Sequence, residues 1–234
     1  MSVFTSLGIL ILSTLIIASM KLIPGVFVLL LHYASGKFSK VKANDLSIFF
    51  IFGTETMIAL ILFLISILTF SIPPKTLSLG NNVLTWIIIG ILIALSLVSF
   101  LLYYRKGPGT KLFISRKIAD SLHQKARLAK TRSDAFALGF FSGLPELFLT
   151  IPVYLISVIS ITQISNQATT YSACIILLDV IAISPLFIMH GLFQTGRNFA
   201  DIERLRTKNK TFFRIFISLL YLLLAITIII FKVL

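Results

Sequence analysis

Apolar residues gather along the chain in six runs of about 20 residues, the length that crosses ~30 Å of hydrocarbon at 1.5 Å per residue. The runs lie near 5–35, 47–72, 83–103, 135–161, 170–195 and 212–232, and each predicts a transmembrane helix. The polar stretches between them are short, except for residues 104–133, which divide the runs three and three. Three helices per half means that related halves must face opposite ways in the bilayer, the inverted-repeat plan of many transporters.

The expected fold is therefore all-α: a polytopic membrane protein with six transmembrane helices as a 3+3 inverted repeat. Residues 1–104 form the first repeat, 105–133 a basic cytoplasmic linker, and 134–234 the second repeat. The halves carry a trace of common pattern. Ile23-Pro24-Gly25-Val26-Phe27-Val28-Leu29-Leu30-Leu31-His32-Tyr33 aligns without gaps with Leu144-Pro145-Glu146-Leu147-Phe148-Leu149-Thr150-Ile151-Pro152-Val153-Tyr154, with Pro, Phe and Tyr coinciding. In the linker, Ile114, Ile118, Leu122, Ala126 and Ala129 recur at helical spacing after the Gly107-Pro108-Gly109 turn signal, with basic residues between them. This predicts an amphipathic cytoplasmic helix that lies on anionic lipid headgroups, with a solvated positive connector or the dock of a cytoplasmic partner as the other readings.

Composition excludes a soluble domain: 57% of the 234 residues are hydrophobic and the mean hydropathy is +1.02. The net charge of +13 invites nucleic acid, but its distribution speaks for a membrane. Of 21 lysines and arginines, 18 fall in the first, third and fifth loops. The positive-inside rule then places those loops in the cytoplasm and both termini outside, in a prokaryotic cytoplasmic membrane. The first run reads as retained, because no basic residue precedes Lys21 as in a signal peptide. The single cysteine, Cys174, leaves no disulfide framework or zinc site within one chain. No cofactor is expected.

Four ionisable residues stand inside the apolar runs: Lys21, Glu55, Glu146 and Asp179. Each costs a few kcal/mol at bilayer depth unless paired, wet or neutralised, so these positions are the candidate substrate or ion site. Along a helix, Glu55 lies about 15 Å from Asp45, Glu146 about 18 Å from Asp134, Lys21 about 24 Å from Lys37 and Asp179 about 27 Å from Arg197, beyond the reach of snorkelling. Three acids against one base leave two carboxylates that must be protonated, share a proton, hold a cation or face water. The plainer reading makes them fixed polar glue between helices.

Pro24, Pro145, Pro152 and Pro185 also fall inside the runs, where each frees a backbone carbonyl. They are the candidate helix-break and gating positions. Ala135, Gly139 and Gly143 form a small-residue face suited to close helix packing. His32 and His190 read as interfacial residues that could gate protons or contribute to a metal site.

The Pro24-Gly25 start, followed by Gly36-Lys37 and a second span, resembles the first repeat of the LysE superfamily of six-span exporters. The segment from Leu144 to Tyr154 is similar to the proline-rich core helix of the CcdA/DsbD-like branch, in which a cysteine usually follows the first proline. Here that position is Glu146, so the thiol shuttle is not carried over. The resemblance implies a small carrier with inverted repeats that exports an amino acid, a metal ion or another small solute, with a homodimer as one assembly.

The function expected is thus secondary transport, in the export direction, of a small solute or cation, with no enzymatic activity. No nucleotide-binding loop is visible, so an ion gradient is the energy source. The rivals are a non-transporting subunit that recruits a partner through its basic loop, and an intramembrane lipid-modifying enzyme. Against the latter, no His-Glu-x-x-His or Gly-x-Ser-x-Gly motif is present.

Overall fold

The computed structural model describes residues 3–21, 25–71, 82–102, 116–144, 147–164, 167–195 and 210–233. Among these the chain is helical, with no strand. The helices are α1 (Val3–Lys21), α2 (Gly25–Lys37), α3 (Lys40–Ser71), α4 (Asn82–Leu102), α5 (Arg116–Leu128), α6 (Arg132–Ser142), α7 (Leu147–Ile164), α8 (Ala168–Gln194) and α9 (Lys210–Val233). Among the described residues, five stretches are long and apolar enough to cross a bilayer: Phe4–Lys37, Lys40–Ser71, Leu147–Ile164, Ala168–Gln194 and Thr211–Ile230. Thr85–Leu101 is a shorter apolar run. These lengths and compositions are those of a membrane-spanning protein.

The fourth apolar run, expected over 135–161, is divided between α6 and α7. A capping box starts α6. The Thr131 hydroxyl accepts from the Asp134 N–H at 3.2 Å, while Asp134 Oδ2 accepts from the Thr131 and Lys130 N–H groups at 3.0 and 3.1 Å. Ser142 ends it, with Gly143 next in the chain and Pro145 two residues on, a sequence that disfavours continuation of a helix. Residues 145–146 lie outside the described part, as do 22–24 between α1 and α2.

Small residues bring α3 and α6 together. A side chain at Gly53 would collide with the Phe136 carbonyl, and one at Gly139 with the Phe50 carbonyl, so each glycine lets the other helix's backbone approach. A side chain at Gly143 would crowd the Met57 sulfur, the flexible end of a side chain that can turn aside. The contacts climb both helices together, from Asp45 with Arg132 at 2.6 Å, through Thr54 Oγ1 and the Gly139 carbonyl at 3.2 Å, to Met57 and Gly143. The helices are therefore parallel. Against α3, α8 runs the other way: Asn44 bonds Gln194 and Ser47 meets His190.

Between α4 and α9 the Ser96 hydroxyl reaches the Ser218 carbonyl at 2.8 Å and the Ser218 hydroxyl the Ser96 carbonyl at 3.0 Å. Helix α5 buries Leu122 and Ala126, which with Ala129 join an apolar cluster that includes α2 residues Phe27, Leu30 and Leu31. Tyr33 and His123 meet edge-on between α2 and α5, with ring centroids 5.8 Å apart. Its exposed side carries Lys125 and Arg127, and with exposed Lys37, Lys40, Lys42, Lys130 and Arg132 it makes one end of the bundle strongly basic.

The apolar interior comes in two pieces. One cluster holds Ile9 to Met20 of α1, Ile58 to Ile65 of α3, Leu149 to Ile161 of α7, Tyr171 to Ala182 of α8, and parts of α4 and α9. The other, toward the basic end, holds α2, Ala43 to Ile51 of α3, the buried residues of α5 and α6, and Ile183 to Met189 of α8. On α3 the division falls between Ile51 and Ile58, and on α8 between Ala182 and Ile183. The level between the two greasy blocks carries Lys21, Thr54 and Glu55, a polar layer among the described residues.

Candidate functional site

That layer contains the sequence-predicted charges that the structure describes. On α3, Glu55 sits between Ile51 of one apolar cluster and Ile58 of the other, and it is half-buried. On α8, Asp179 is half-buried one turn before Ile183, where α8 crosses between the clusters. The Ser47–His190 and Ser66–Tyr171 contacts fix the register of α3 against α8 and set Glu55 and Asp179 about one turn apart along the seam. Asp179 Oδ1 is buried and meets no hydrogen-bond donor among the described residues. An acidic pair of this kind must take up a proton, a cation or water to relieve its charge.

Lys21 is the last residue of α1 and is 4% exposed, at the same division of the core. Its neighbour Met20 and Leu149 of α7 are tied by one side chain. Tyr221 of α9, itself fully buried, donates to the Leu149 carbonyl at 2.9 Å and contacts the Met20 sulfur at 3.8 Å. The end of α1 and the start of α7 therefore meet at one level. Glu146, Pro24 and Pro145 lie outside the described residues.

The other two prolines lie within helices. Pro185 is buried in α8, and the Ser184 hydroxyl donates at 2.8 Å to the Ile181 carbonyl, the acceptor that Pro185 cannot serve. Its kink is thus satisfied locally. Pro152, half-buried in α7, removes the donor to the Phe148 carbonyl, next to the Leu149 carbonyl that Tyr221 binds.

Thr54 adds a further polar atom beside Glu55. Its hydroxyl lies 3.1 Å from the Phe50 carbonyl and 3.2 Å from the Gly139 carbonyl, so one proton is shared between α3 and α6. Neither Thr54 nor Tyr221 stands out in the sequence as part of the site. The signal was a hydroxyl next to a membrane acid and a lone tyrosine in the last apolar run, and both patterns are common in packing.

The histidines part company. His32 is exposed, whereas His190, expected at the interface, is 8% exposed. Its Nδ1 lies 2.7 Å from Ser47 Oγ and its Nε2 2.9 Å from Gln194 Nε2, which also donates to Asn44 Oδ1 at 2.8 Å. Asn44 and Ser47 at i and i+3, and His190 and Gln194 at i and i+4, are polar pairs on one face of otherwise apolar helices. That spacing could have revealed the contact. No group of three or more His, Cys, Asp or Glu side chains arranged to hold a metal occurs among the described residues.

Comparison of the chain with protein-family models, with curated proteins and with solved structures finds no match.

Proposed function

We propose that this chain is a small secondary transporter, working in the export direction, that carries a small solute or cation such as an amino acid or a metal ion. The observation that carries the reading is the placement of Glu55 and Asp179 about one turn apart on the packed helices α3 and α8, at the level between two apolar blocks. Two carboxylates there can trade a proton for a cation, because each protonation state stabilises a different occupant. Lys21 serves as counter-charge at the same level, and Glu146, three residues after Gly143 in the chain, completes the acidic set. Pro24, Pro145, Pro152 and Pro185 supply the breaks and kinks that let the helices move around it.

The architecture proposed for it is a 3+3 inverted repeat. In support, the fourth apolar run is divided between α6 and α7, and the third and sixth meet through the reciprocal Ser96 and Ser218 contact. The basic loops face the cytoplasm of a prokaryotic cell and both termini face outward. Helix α5 is then an amphipathic cytoplasmic helix whose lysines and arginines meet anionic lipid headgroups. The resemblance to LysE-type exporters is consistent with this plan, and a homodimer is the assembly it suggests.

Flux through proteoliposomes tests the proposal. With an imposed pH gradient, divalent metal ions or basic amino acids should move in exchange for protons. Glu55→Gln and Asp179→Asn should each abolish coupled movement while the protein remains folded. Movement that persists unchanged in both variants, or proton flux with no dependence on any such solute, would contradict it.

A further inference from the structure

Besides the acidic pair, the seam between α3 and α8 carries a polar contact at each end, one of them the Tyr171 hydroxyl donating to Ser66 Oγ at 2.8 Å. Eleven residues along α8 from Asp179, about 16 Å at helical rise, His190 closes on Ser47, Gln194 and Asn44. Between the acids and this contact stand Ile51 of α3 and Ile183 and Leu186 of α8, all buried in one apolar cluster. A water path along this seam from the acids to the basic end must open past these three side chains. The His190 contact holds the seam shut at its outlet.

The orientation of the Asn44 and Gln194 amides, assigned from the hydrogen-bond network, sets the hydrogens of that contact. The Ser47 hydroxyl has one proton, which it donates to the Asn44 carbonyl at 2.7 Å. It therefore accepts from His190, whose Nδ1 must carry a hydrogen. Gln194 Nε2 has two hydrogens, one for Asn44 Oδ1 and one for His190 Nε2, so His190 Nε2 must be bare. With both amides in this orientation, every group is satisfied when the ring is neutral. A proton on Nε2 would set N–H against N–H at 2.9 Å. Relief needs the Gln194 amide to turn, which strips Asn44 Oδ1 of its donor unless Asn44 turns too.

The charged groups of the packed elements are engaged elsewhere or exposed. On α3, Asp45 pairs with Arg132 of α6, Lys42 lies 4.3 Å over the Phe38 ring and Lys40 is exposed. On α2, Lys37 donates to the Arg127 carbonyl and His32 is exposed. On α5, Lys125 lies over the Phe141 ring, His123 faces Tyr33, and Asp120 and Arg127 are exposed. On α6, Asp134 caps its own helix, while Asp179 of α8, Glu55 of α3 and Lys21 of α1 lie at the level of the acids, away from this contact.

We propose that His190 is a second proton-binding site and the gate of the α3–α8 seam: neutral, it locks the helices together through Ser47, Gln194 and Asn44, and protonated, it releases them. What the gate serves rests on the carrier reading. The lock itself does not.

Cysteine accessibility in the full chain, in nanodiscs, tests it without any transported solute. With Cys174→Ser as background, a cysteine replacing Ile51 is reacted with a water-soluble maleimide, and its rate is normalised to that of a cysteine replacing exposed Lys42. The ratio should rise about tenfold between about pH 8 and about pH 5, the range of histidine titration and an ordinary size for linked equilibria. In His190→Gln the ratio should not depend on pH. Nitrogen-15 spectra of histidine in the unaltered chain give an answer that needs no variant. They should show His190 neutral with its hydrogen on Nδ1 at high pH, and doubly protonated where labelling accelerates. A flat ratio in the parent, an unchanged pH dependence in His190→Gln, or a histidine still neutral where labelling rises would overturn the proposal. Failed flux with intact pH-gated labelling would instead remove the carrier reading and leave the gate.

Discussion

Gly53 of α3 and Gly139 of α6 are reciprocal: each faces a carbonyl of the other's helix, belonging to the residue three positions before the opposing glycine. Both helices thereby give up side-chain volume at one crossing, and the backbones close to a distance that no Cβ allows. Without a hydrophobic drive between helices in lipid, such close packing is a main source of association. It also fixes Thr54 against Gly139 and so sets the rotation of the Glu55 turn.

Substituting either glycine should open the crossing. Gly139→Val should destabilise the fold by at least the ~1–3 kcal/mol of an overpacked core, since the obstacle is backbone that cannot turn aside. Gly90→Ala, on α4 with open space around it, is the control and should be close to neutral. Unfolding in mixed micelles measures both.

The cap of α6 has a pH signature. Backbone hydrogen bonds from Lys130 lead in holding the Asp134 carboxyl below its ordinary 3.8, with the side chain and backbone of Thr131 adding to the effect. A lowered value in the folded state means that the stabilisation is fully present above the ordinary value and is lost as pH falls below it. The group is mostly exposed, so solvent screens the effect and the change is small. Thr131→Ala should cost about 1 kcal/mol at neutral pH, and Asp134→Asn should flatten the acid limb of stability below about pH 4. Equal acid sensitivity in Asp134→Asn and the parent would refute this.

Tyr221→Phe removes one hydroxyl and leaves the ring in place. The loss of the bond to the Leu149 carbonyl should cost about 0.5–1.5 kcal/mol. It should also loosen the start of α7 against the end of α1, which hydrogen exchange at Val153 and its neighbours would report. Unchanged exchange there would mean that the two helix ends are held by apolar packing alone.

Much of this fold was legible in the pattern of apolar runs, because bilayer thickness and helical rise leave one length for a crossing helix. Five of the six runs reappear among the described residues as stretches long enough to cross a bilayer and the third as the shorter apolar run Thr85–Leu101, while Leu122, Ala126 and Ala129 are buried at α5. The small-residue spacing of Gly139 and Gly143 anticipated a close helix contact, though not its partner Gly53. Sequence could not say that Glu55 and Asp179 share a neighbourhood, since residues so far apart in the chain meet only through the packing of α3 on α8. Nor could it bury His190: distance from the charged edge measures depth along a helix, not which side of the helix faces its neighbours. Ser47 and Asn44 on the facing helix decide that.

The central claim is that Glu55 and Asp179 form one proton-exchanging cation site. Proton release from the purified full chain in weakly buffered detergent, on addition of divalent metal ions or basic amino acids, tests it most directly. The unaltered protein should release protons on binding one of these classes, and Glu55→Gln and Asp179→Asn should each lose that release. Equal release from all three proteins, or none from the unaltered one, would contradict it.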